Sequence, residues 1–150
     1  MSRNPDQASA QVEAVKEYFR RGDAGDFPAE LFAPDFQFYF PKYGVGRGAA
    51  AFFELAAGMR QGVVKRAVHH VDELLVVEQG NCVVVEGTTE GTDIDEVAWH
   101  GGRSRGGRFC SVFVFGQDGR IVRMHVYLDP DYTGKHKAGF VWPSRTSEAW

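Results

Sequence analysis

Residues 107–129 read GRFCSVFVFGQDGRIVRMHVYLD, two strand-like runs on either side of the dipeptide Asp118-Gly119. Asp-Gly is the preferred pair for a two-residue type I′ turn, because both turn positions need a positive φ. Such a turn pairs Gln117 with Arg120 and sets the register of the whole hairpin. The predicted cross-strand pairs are Phe109–Leu128, Ser111–Val126, Phe113–Met124 and Phe115–Val122.

Side chains alternate between the two faces of a strand, so these eight residues share one face of the hairpin. That face is apolar except for the hydroxyl of Ser111. The opposite face is mixed, with Arg108, Cys110, Val112, Val114, Arg123, His125, Tyr127 and Asp129. A sheet with one face this apolar has to cover it with helices or with a ligand.

The remaining chain supplies helices first and strands later. Apolar spacing predicts a helix over Ser9–Gly22, with Ser9 as N-cap and Gly22 as stop, and a second helix over Gly48–Arg60. Other predicted elements are a helical turn at Pro28–Phe32, a strand with an all-Phe face at Phe36–Phe40, a turn at Tyr43–Gly48, a long strand over Val63–Val77, a strand from Cys82 and a flexible Gly-rich loop over Gly91–Gly107. This order predicts an α+β fold in which a curved antiparallel sheet of four late strands closes over the N-terminal helices.

Length and composition indicate one domain over residues 1–132, followed by a tail over residues 133–150 that covers the pocket or a dimer interface. Seventeen basic and twenty acidic residues give a net charge of −3, which offers no footprint for nucleic acid. No apolar run reaches the ~20 residues that span a bilayer, and the N-terminus lacks the apolar core of a signal peptide. The sequence therefore predicts a cytoplasmic protein with no membrane partner, whose Cys82 and Cys110 stay reduced.

Four short motifs follow one another along the chain: Tyr18-x5-Ala24-Gly25-Asp26, Leu31-Phe32-Ala33-Pro34-Asp35, Gly46-Arg47-Gly48, and Asp118-Gly119-Arg120-Ile121-Val122 leading to Tyr127-Leu128-Asp129. In this order and spacing they resemble the nuclear transport factor 2-like superfamily over about Gln11–Tyr132. Its members include ketosteroid isomerases, scytalone dehydratase, limonene-epoxide hydrolases and SnoaL-like polyketide cyclases. The resemblance implies a cone-shaped α+β fold and a homodimer that meets through the mixed outer face of the sheet.

The resemblance also implies positions for catalytic residues. Tyr18 falls where ketosteroid isomerases keep the tyrosine that binds the substrate oxyanion, whereas their general-base aspartate and second oxyanion donor fall on Phe40 and Ser111. The Arg and two Asp residues of the epoxide hydrolases fall on Gly87, Thr89 and Val126. Both familiar carboxylate machineries are thus missing from this chain.

Four residues remain as candidate catalytic groups. Tyr18 and Ser111 are candidate donors to a carbonyl or enolate oxygen, and Ser111 could equally be satisfied by a backbone carbonyl. His69 and His70 are candidate general bases, but neighbours on a strand face opposite ways and the sequence does not tell which one points inward. His70 shares a face with Asp72, which could orient its ring.

A Phe-rich interior suits an apolar substrate as well as a core, since twelve of the 150 residues are Phe. We predict a substrate-binding surface with Trp99 as a candidate lid over its mouth. The surface comprises Phe38, Phe40, Tyr43, Phe53, Gly87, Trp99, Phe109, Phe113, Met124, Val126 and Leu128. No cofactor motif is present, and Asp93, Asp95, Glu96 and His100 lack a recognised metal-ligand spacing, so a solvated loop is expected there rather than a metal site.

Two functions fit these observations. One is a SnoaL-like, cofactor-independent cyclase, isomerase or dehydratase that acts on an apolar polyketide- or steroid-like substrate. The other is a non-catalytic module of the same fold that binds a hydrophobic ligand or a protein. An inward histidine close to the space between Tyr18 and Ser111 favours the enzyme, and a pocket filled by the protein's own Phe side chains favours the binding module.

Overall fold

The computed structural model describes residues 9–104, 106–137, 139 and 142–144. Two helices, α1 (Ala10–Asp23) and α2 (Gly48–Gly62), pack on a curved, unclosed sheet. Its eight strands in the described part of the chain are β1 (Phe32–Phe40), β2 (Gly44–Arg47), β3 (Val64–His69), β4 (Leu75–Gln79), β5 (Cys82–Asp93), β6 (Ala98–His100), β7 (Arg108–Phe115) and β8 (Ile121–Leu128). The predicted α+β fold is confirmed.

The strands follow the order β2-β1-β8-β7-β5-β3, with β4 and β6 also paired to β5. All pairs are antiparallel except β1 with β8, which run parallel, so the sheet is mixed rather than wholly antiparallel. The predicted count of four strands after α2 is too low. Six follow it, because the predicted strand over Val63–Val77 is two strands, β3 and β4, and the predicted Gly-rich loop contains β6. The twelve-residue strand β5 pairs with β4 along its first half and with β3 and β6 along its second.

The β7–β8 hairpin keeps three of its four predicted pairs, Phe109–Leu128, Ser111–Val126 and Phe113–Met124. The turn itself differs, because three residues, Gln117–Gly119, form the loop and of these only Gly119 has a positive φ, at 79°. This slips the register by one residue, and a bulge at Val122 restores it and puts Ile121 opposite Phe115. Val122, predicted to face inward, is therefore exposed, and Ile121 is fully buried in its place.

Helix α1 begins as predicted, since the Ser9 Oγ accepts the N–H of Val12 at 3.1 Å. Its end differs, because Gly25 rather than Gly22 supplies the left-handed residue, with φ at 80°. The Asp26 N–H donates to the Arg21 carbonyl and the Gly25 N–H to the Gly22 carbonyl, the two bonds of a Schellman motif. Asp23 is therefore the last helical residue.

Three other sequence predictions are wrong. The long strand over Val63–Val77 is two strands, interrupted by a 3₁₀ turn at Val71–Glu73 where the chain crosses from one half of β5 to the other. The turn predicted at Tyr43–Gly48 contains β2, which pairs with the Phe-rich strand β1. The Gly-rich loop is largely a β5–β6 hairpin, in which Glu90 lies opposite His100.

The main core lies between α1, α2 and the concave face of the sheet. It is lined chiefly by phenylalanines, including the fully buried Phe36, Phe113 and Phe115. A smaller cluster of Val64, Trp99 and Tyr132 closes one end of the sheet. No helix in the described ranges is long and apolar enough to cross a membrane. Phe140 and Trp150 of the predicted tail lie outside the described residues, and Trp142 is exposed.

Candidate functional site

A cleft of about 550 Å³ enters the molecule between α1, α2 and β3. It shares Tyr18, Phe19, Phe52 and His69 with an inner chamber of about 170 Å³ that reaches the concave face of the sheet. The deeper walls of the chamber include Ser111 and Val126, the pair that the hairpin register placed on the inward face. An open, apolar cavity thus remains beneath the helices.

His69 is the histidine that points into this cavity. It lies opposite Thr89 in the β3–β5 pairing, and the buried Thr89 side chain lies on the same inner face. Its ring packs against Phe19 and Phe109, with ring centroids 4.6 and 5.0 Å away. His70, the next residue, therefore lies on the outer face.

Asp23 holds His69 with both carboxylate oxygens. One oxygen lies 2.7 Å from the ring Nδ1, and the other accepts the backbone N–H of His69 at 2.7 Å. A carboxylate only accepts, so the Nδ1 carries the proton and the basic lone pair of the neutral ring is on Nε2. This pair has the arrangement of an oriented general base.

Asp23 is not among the candidate residues predicted from the sequence, although one signal pointed to it. A carboxylate in the last turn of a helix lies at the negative end of the helix dipole, where it is disfavoured. Asp23 is the final residue of α1, directly before the terminating Ala24-Gly25 pair. An acid in that position indicates a specific partner, but the partner lies 46 residues away and only the fold identifies it.

Tyr18 lines both the cleft and the chamber. Its ring makes edge contacts with Phe32 and Phe113 at 5.4 and 5.8 Å. Burial raises the pKa of its phenol well above the ordinary value of 10.0, and the negative charge of Asp23 raises this pKa further. The hydroxyl therefore stays protonated at neutral pH and can donate a hydrogen bond to a ligand in the cavity.

Ser111 is fully buried in the chamber wall. Among the described residues its Oγ has no hydrogen-bond partner. A buried hydroxyl without a partner carries a desolvation cost of about 1–3 kcal/mol. It is a polar group in the wall of an otherwise largely apolar chamber.

Replacing Ser111 by Ala is therefore expected to raise the free energy of unfolding by about 1 kcal/mol, because the unpaired hydroxyl is removed. Urea denaturation measures this change. Ser9→Ala is the matched control and should lower the same free energy by about 1 kcal/mol, because it removes the N-cap of α1. If both substitutions destabilise the protein equally, the Ser111 hydroxyl has a hydrogen-bond partner in the folded protein.

The structure divides the predicted substrate-binding residues into three groups. Phe40, Phe109, Val126 and Leu128 line the inner chamber, and Phe53 lines the outer cleft. Phe38, Phe113 and Met124 are buried in the core and are not among the lining residues of either. Tyr43 and Gly87 lie in separate surface grooves, and a Cβ on Gly87 would meet Phe109 at 3.1 Å and Leu74 at 2.5 Å.

Trp99 does not form a lid over the mouth. It is 3% exposed and stacks on Tyr132 with ring centroids 4.5 Å apart, and its indole N–H donates to the Thr89 Oγ1 at 3.0 Å. Thr89 in turn donates to the Gly107 carbonyl at 3.2 Å. These contacts fix the position of Thr89, which lines the inner chamber.

Asp93 is engaged by its own neighbours rather than left free in a solvated loop. Its carboxylate accepts the N–H groups of Asp95 and Val97 at 2.9 Å and pairs with Lys135 at 2.8 Å. Lys135 is the main cause that lowers the pKa of this carboxyl. Asp93 therefore ties the β5–β6 turn to the segment after β8.

A family profile of the SnoaL-like domain matches residues 12–124, so the chain belongs to the SnoaL-like domain family. The fold is that of the nuclear transport factor 2-like proteins. It resembles a protein of this fold and unknown function from Burkholderia pseudomallei, with a TM-score of 0.71 and 18% identity over 85% of this chain and 97% of that one.

Two further solved structures are similar. TerC, co-crystallised with polyporic acid, matches with a TM-score of 0.66 and 22% identity over 81% of this chain and 92% of that one. A putative polyketide cyclase from Xanthomonas campestris pv. campestris matches with a TM-score of 0.65 and 18% identity over 79% and 90% of the two chains. At these identities the likeness shows the fold. A search of curated proteins found no match to this chain.

Proposed function

We propose that this protein is a cofactor-independent enzyme that moves a proton on an apolar, carbonyl-bearing small molecule. The observation that carries the proposal is the Asp23–His69 pair, held at 2.7 Å in the wall of a cavity that Tyr18 and Ser111 also line. A base and hydroxyl groups around one apolar cavity are the parts that enolate chemistry requires.

Each residue has a distinct part in this chemistry. The His69 Nε2 removes a proton from the carbon next to the substrate carbonyl, and the charge develops on the carbonyl oxygen. Tyr18 and Ser111 are the hydroxyl donors available to that oxygen, and Asp23 is a positioning residue that stabilises the imidazolium. If the His69 imidazolium returns the proton to another carbon, the substrate is isomerised. If it protonates a β-hydroxyl group, which leaves as water, the substrate is dehydrated. If the enolate carbon attacks a second carbonyl, whose oxygen takes the proton, the substrate is cyclised.

The chamber supports a compact apolar substrate. Aromatic and aliphatic side chains dominate its walls, and their close packing favours one reactive conformer of a bound molecule. The polyporic acid co-crystallised with TerC and the name of the Xanthomonas protein, a putative polyketide cyclase, support polyketide-like, oxygen-bearing rings as substrates. This chain has Phe40 at the position where the resemblance expects a carboxylate base, so His69 takes that role here.

Proton exchange tests the proposal without knowledge of the natural substrate. The protein is incubated in D₂O with a panel of apolar cyclic ketones, β-diketones and hydroxyquinones, and deuterium at the α-carbon is followed by NMR. Stoichiometric binding of a panel member together with accelerated exchange supports the enzyme. Binding without accelerated exchange overturns it in favour of the ligand-binding module of the same fold.

A homodimer remains a prediction for this protein. The outer face of the sheet exposes apolar side chains, among them Leu75, Val77 and Tyr127. Covering such side chains is what a second copy would do. The cytoplasmic location likewise remains a prediction.

A further inference from the structure

Three side chains that the proposed reaction does not use meet on the outer face of the sheet. Glu90 of β5 lies directly opposite His100 of β6. His70 follows β3 on the other side of β5, where its backbone N–H donates to the Thr88 carbonyl at 3.0 Å. Since Thr89 and His69 point inward, Glu90 and His70 point away from the cavity.

Both imidazoles approach the same carboxylate oxygen. The Nε2 atoms of His70 and His100 each lie 3.3 Å from the Glu90 Oε2. One ligand atom from each of the three residues lies within 4.8 Å of the other two. Tetrahedral coordination with bonds of about 2.0–2.1 Å separates neighbouring ligand atoms by about 3.3 Å, which is the distance of each histidine nitrogen from the Glu90 oxygen.

The other ring nitrogen of each histidine is also engaged. The Nδ1 of His100 lies 3.0 Å from the Gly101 carbonyl, which can only accept, so this Nδ1 carries a proton. The Nε2 of His100 is therefore the ring nitrogen that faces the Glu90 carboxylate. A metal ion or a proton between these two atoms makes their contact favourable.

His70 is anchored in a comparable way, with its Nδ1 2.7 Å from the Thr88 Oγ1. Fixing the far nitrogen of a histidine in this manner sets ring orientation and tautomer at metal sites. Residues 70, 88, 90 and 100 come from three adjacent segments of one sheet, so their spacing is rigid. A groove of about 360 Å³ lined by Thr88, His100 and Arg103 lies alongside and gives access from solvent.

We propose that His70, Glu90 and His100 bind a divalent transition-metal ion, with Zn²⁺ as the preferred occupant. Two imidazoles and one carboxylate are a donor set that Zn²⁺ uses with a fourth position left to water. The ion joins β3, β5 and β6 on the face opposite the cavity. The sequence shows no metal-ligand spacing for such a site, because the three residues lie on different segments and only the pairing of these segments in the sheet brings them together.

Zinc titration of the chelator-treated, tag-free protein by isothermal calorimetry tests this proposal. One Zn²⁺ per chain is expected, and Co²⁺ in its place should give the visible absorption of a tetrahedral site. Glu90→Gln keeps the side-chain shape and should weaken Zn²⁺ binding at least 10-fold, as should His100→Ala. Glu86→Gln, on the same strand and face but outside the cluster, should bind as the wild type does.

Equal affinity in the Glu90→Gln and Glu86→Gln variants would overturn the proposal, as would the absence of stoichiometric binding by the wild type. A proton on a histidine ring is the alternative to a metal ion between the histidines and Glu90. If ¹⁵N NMR shows that His100 keeps both ring protons in excess Zn²⁺, the cluster is an ion pair and not a metal site. Should His100→Ala fail to fold by circular dichroism, Glu90→Gln decides the result.

Discussion

Replacing His69 by Gln is expected to lower the rate of catalysed α-proton exchange by 10²–10⁴-fold, the usual contribution of a positioned general base. Gln keeps polarity and approximate size but has no basic lone pair at neutral pH. Gln at position 69 keeps part of the packing that His69 makes against Phe19 and Phe109, so the affinity for the ligand should change much less than the rate. A loss confined to the rate is the signature of a group that acts in the transition state.

His136→Gln is the matched control, because His136 is exposed on a short 3₁₀ helix away from the cavity. It should retain the wild-type rate. Asp23→Asn keeps the shape of the positioning residue and removes its charge, and its rate should lie between those of the wild type and His69→Gln. A His69→Gln variant with an undiminished rate would show that another group, or the shape of the chamber alone, drives the chemistry.

Truncating Phe113 to Ala is expected to lower the free energy of unfolding by about 3–5 kcal/mol, the range measured for large buried aromatics. Phe113 is fully buried, lies opposite the equally buried Met124, and makes edge contacts with Tyr18 and Phe19 at 5.8 and 5.9 Å. Its removal leaves a void between helix α1 and the sheet. Since domains of this size are stable by only ~5–15 kcal/mol, the loss is a large share of the total.

Urea denaturation measures this change, and Phe53→Ala is its control. Phe53 is 51% exposed on α2, so the same truncation there should cost about 1 kcal/mol or less. A similar loss at both positions would show that the core between α1 and the sheet is loosely packed. The two variants also distinguish an effect on stability from an effect on ligand binding, because Phe53 lines the cleft and Phe113 does not.

Local patterns predicted the parts of the fold that depend on neighbouring residues. The Ser9 cap follows from the side-chain oxygen at the start of an apolar helical spacing. The Ser111–Val126 register follows from strict alternation in both strands of the hairpin. The predicted register is correct although the predicted turn type is wrong. A one-residue slip along the whole hairpin would have exposed its apolar face, and the bulge at Val122 prevents this slip.

The orientation of His69 and His70 shows what alternation could not determine. Both faces of the following segment, Leu74–Val77, are apolar in sequence. The alternation of polar and apolar residues therefore does not tell which face of the strand points inward. The 3₁₀ turn at Val71–Glu73 separates this segment from β3, and the pairing of His69 with Thr89 then directs His69 inward.

The sequence by itself determined the α+β class of the fold and the inward face of the β7–β8 hairpin with Ser111 on it, because each follows from local periodicity. Tyr18 became a candidate donor through the resemblance to a known family. Only the tertiary structure joined Asp23 to His69 and His70 to Glu90 and His100. These contacts depend on where a helix end and three strands meet in space. Alternation along a strand is a local property of the chain. Which face of an all-apolar segment points inward, and which partner a side chain meets, are decided by remote pairing.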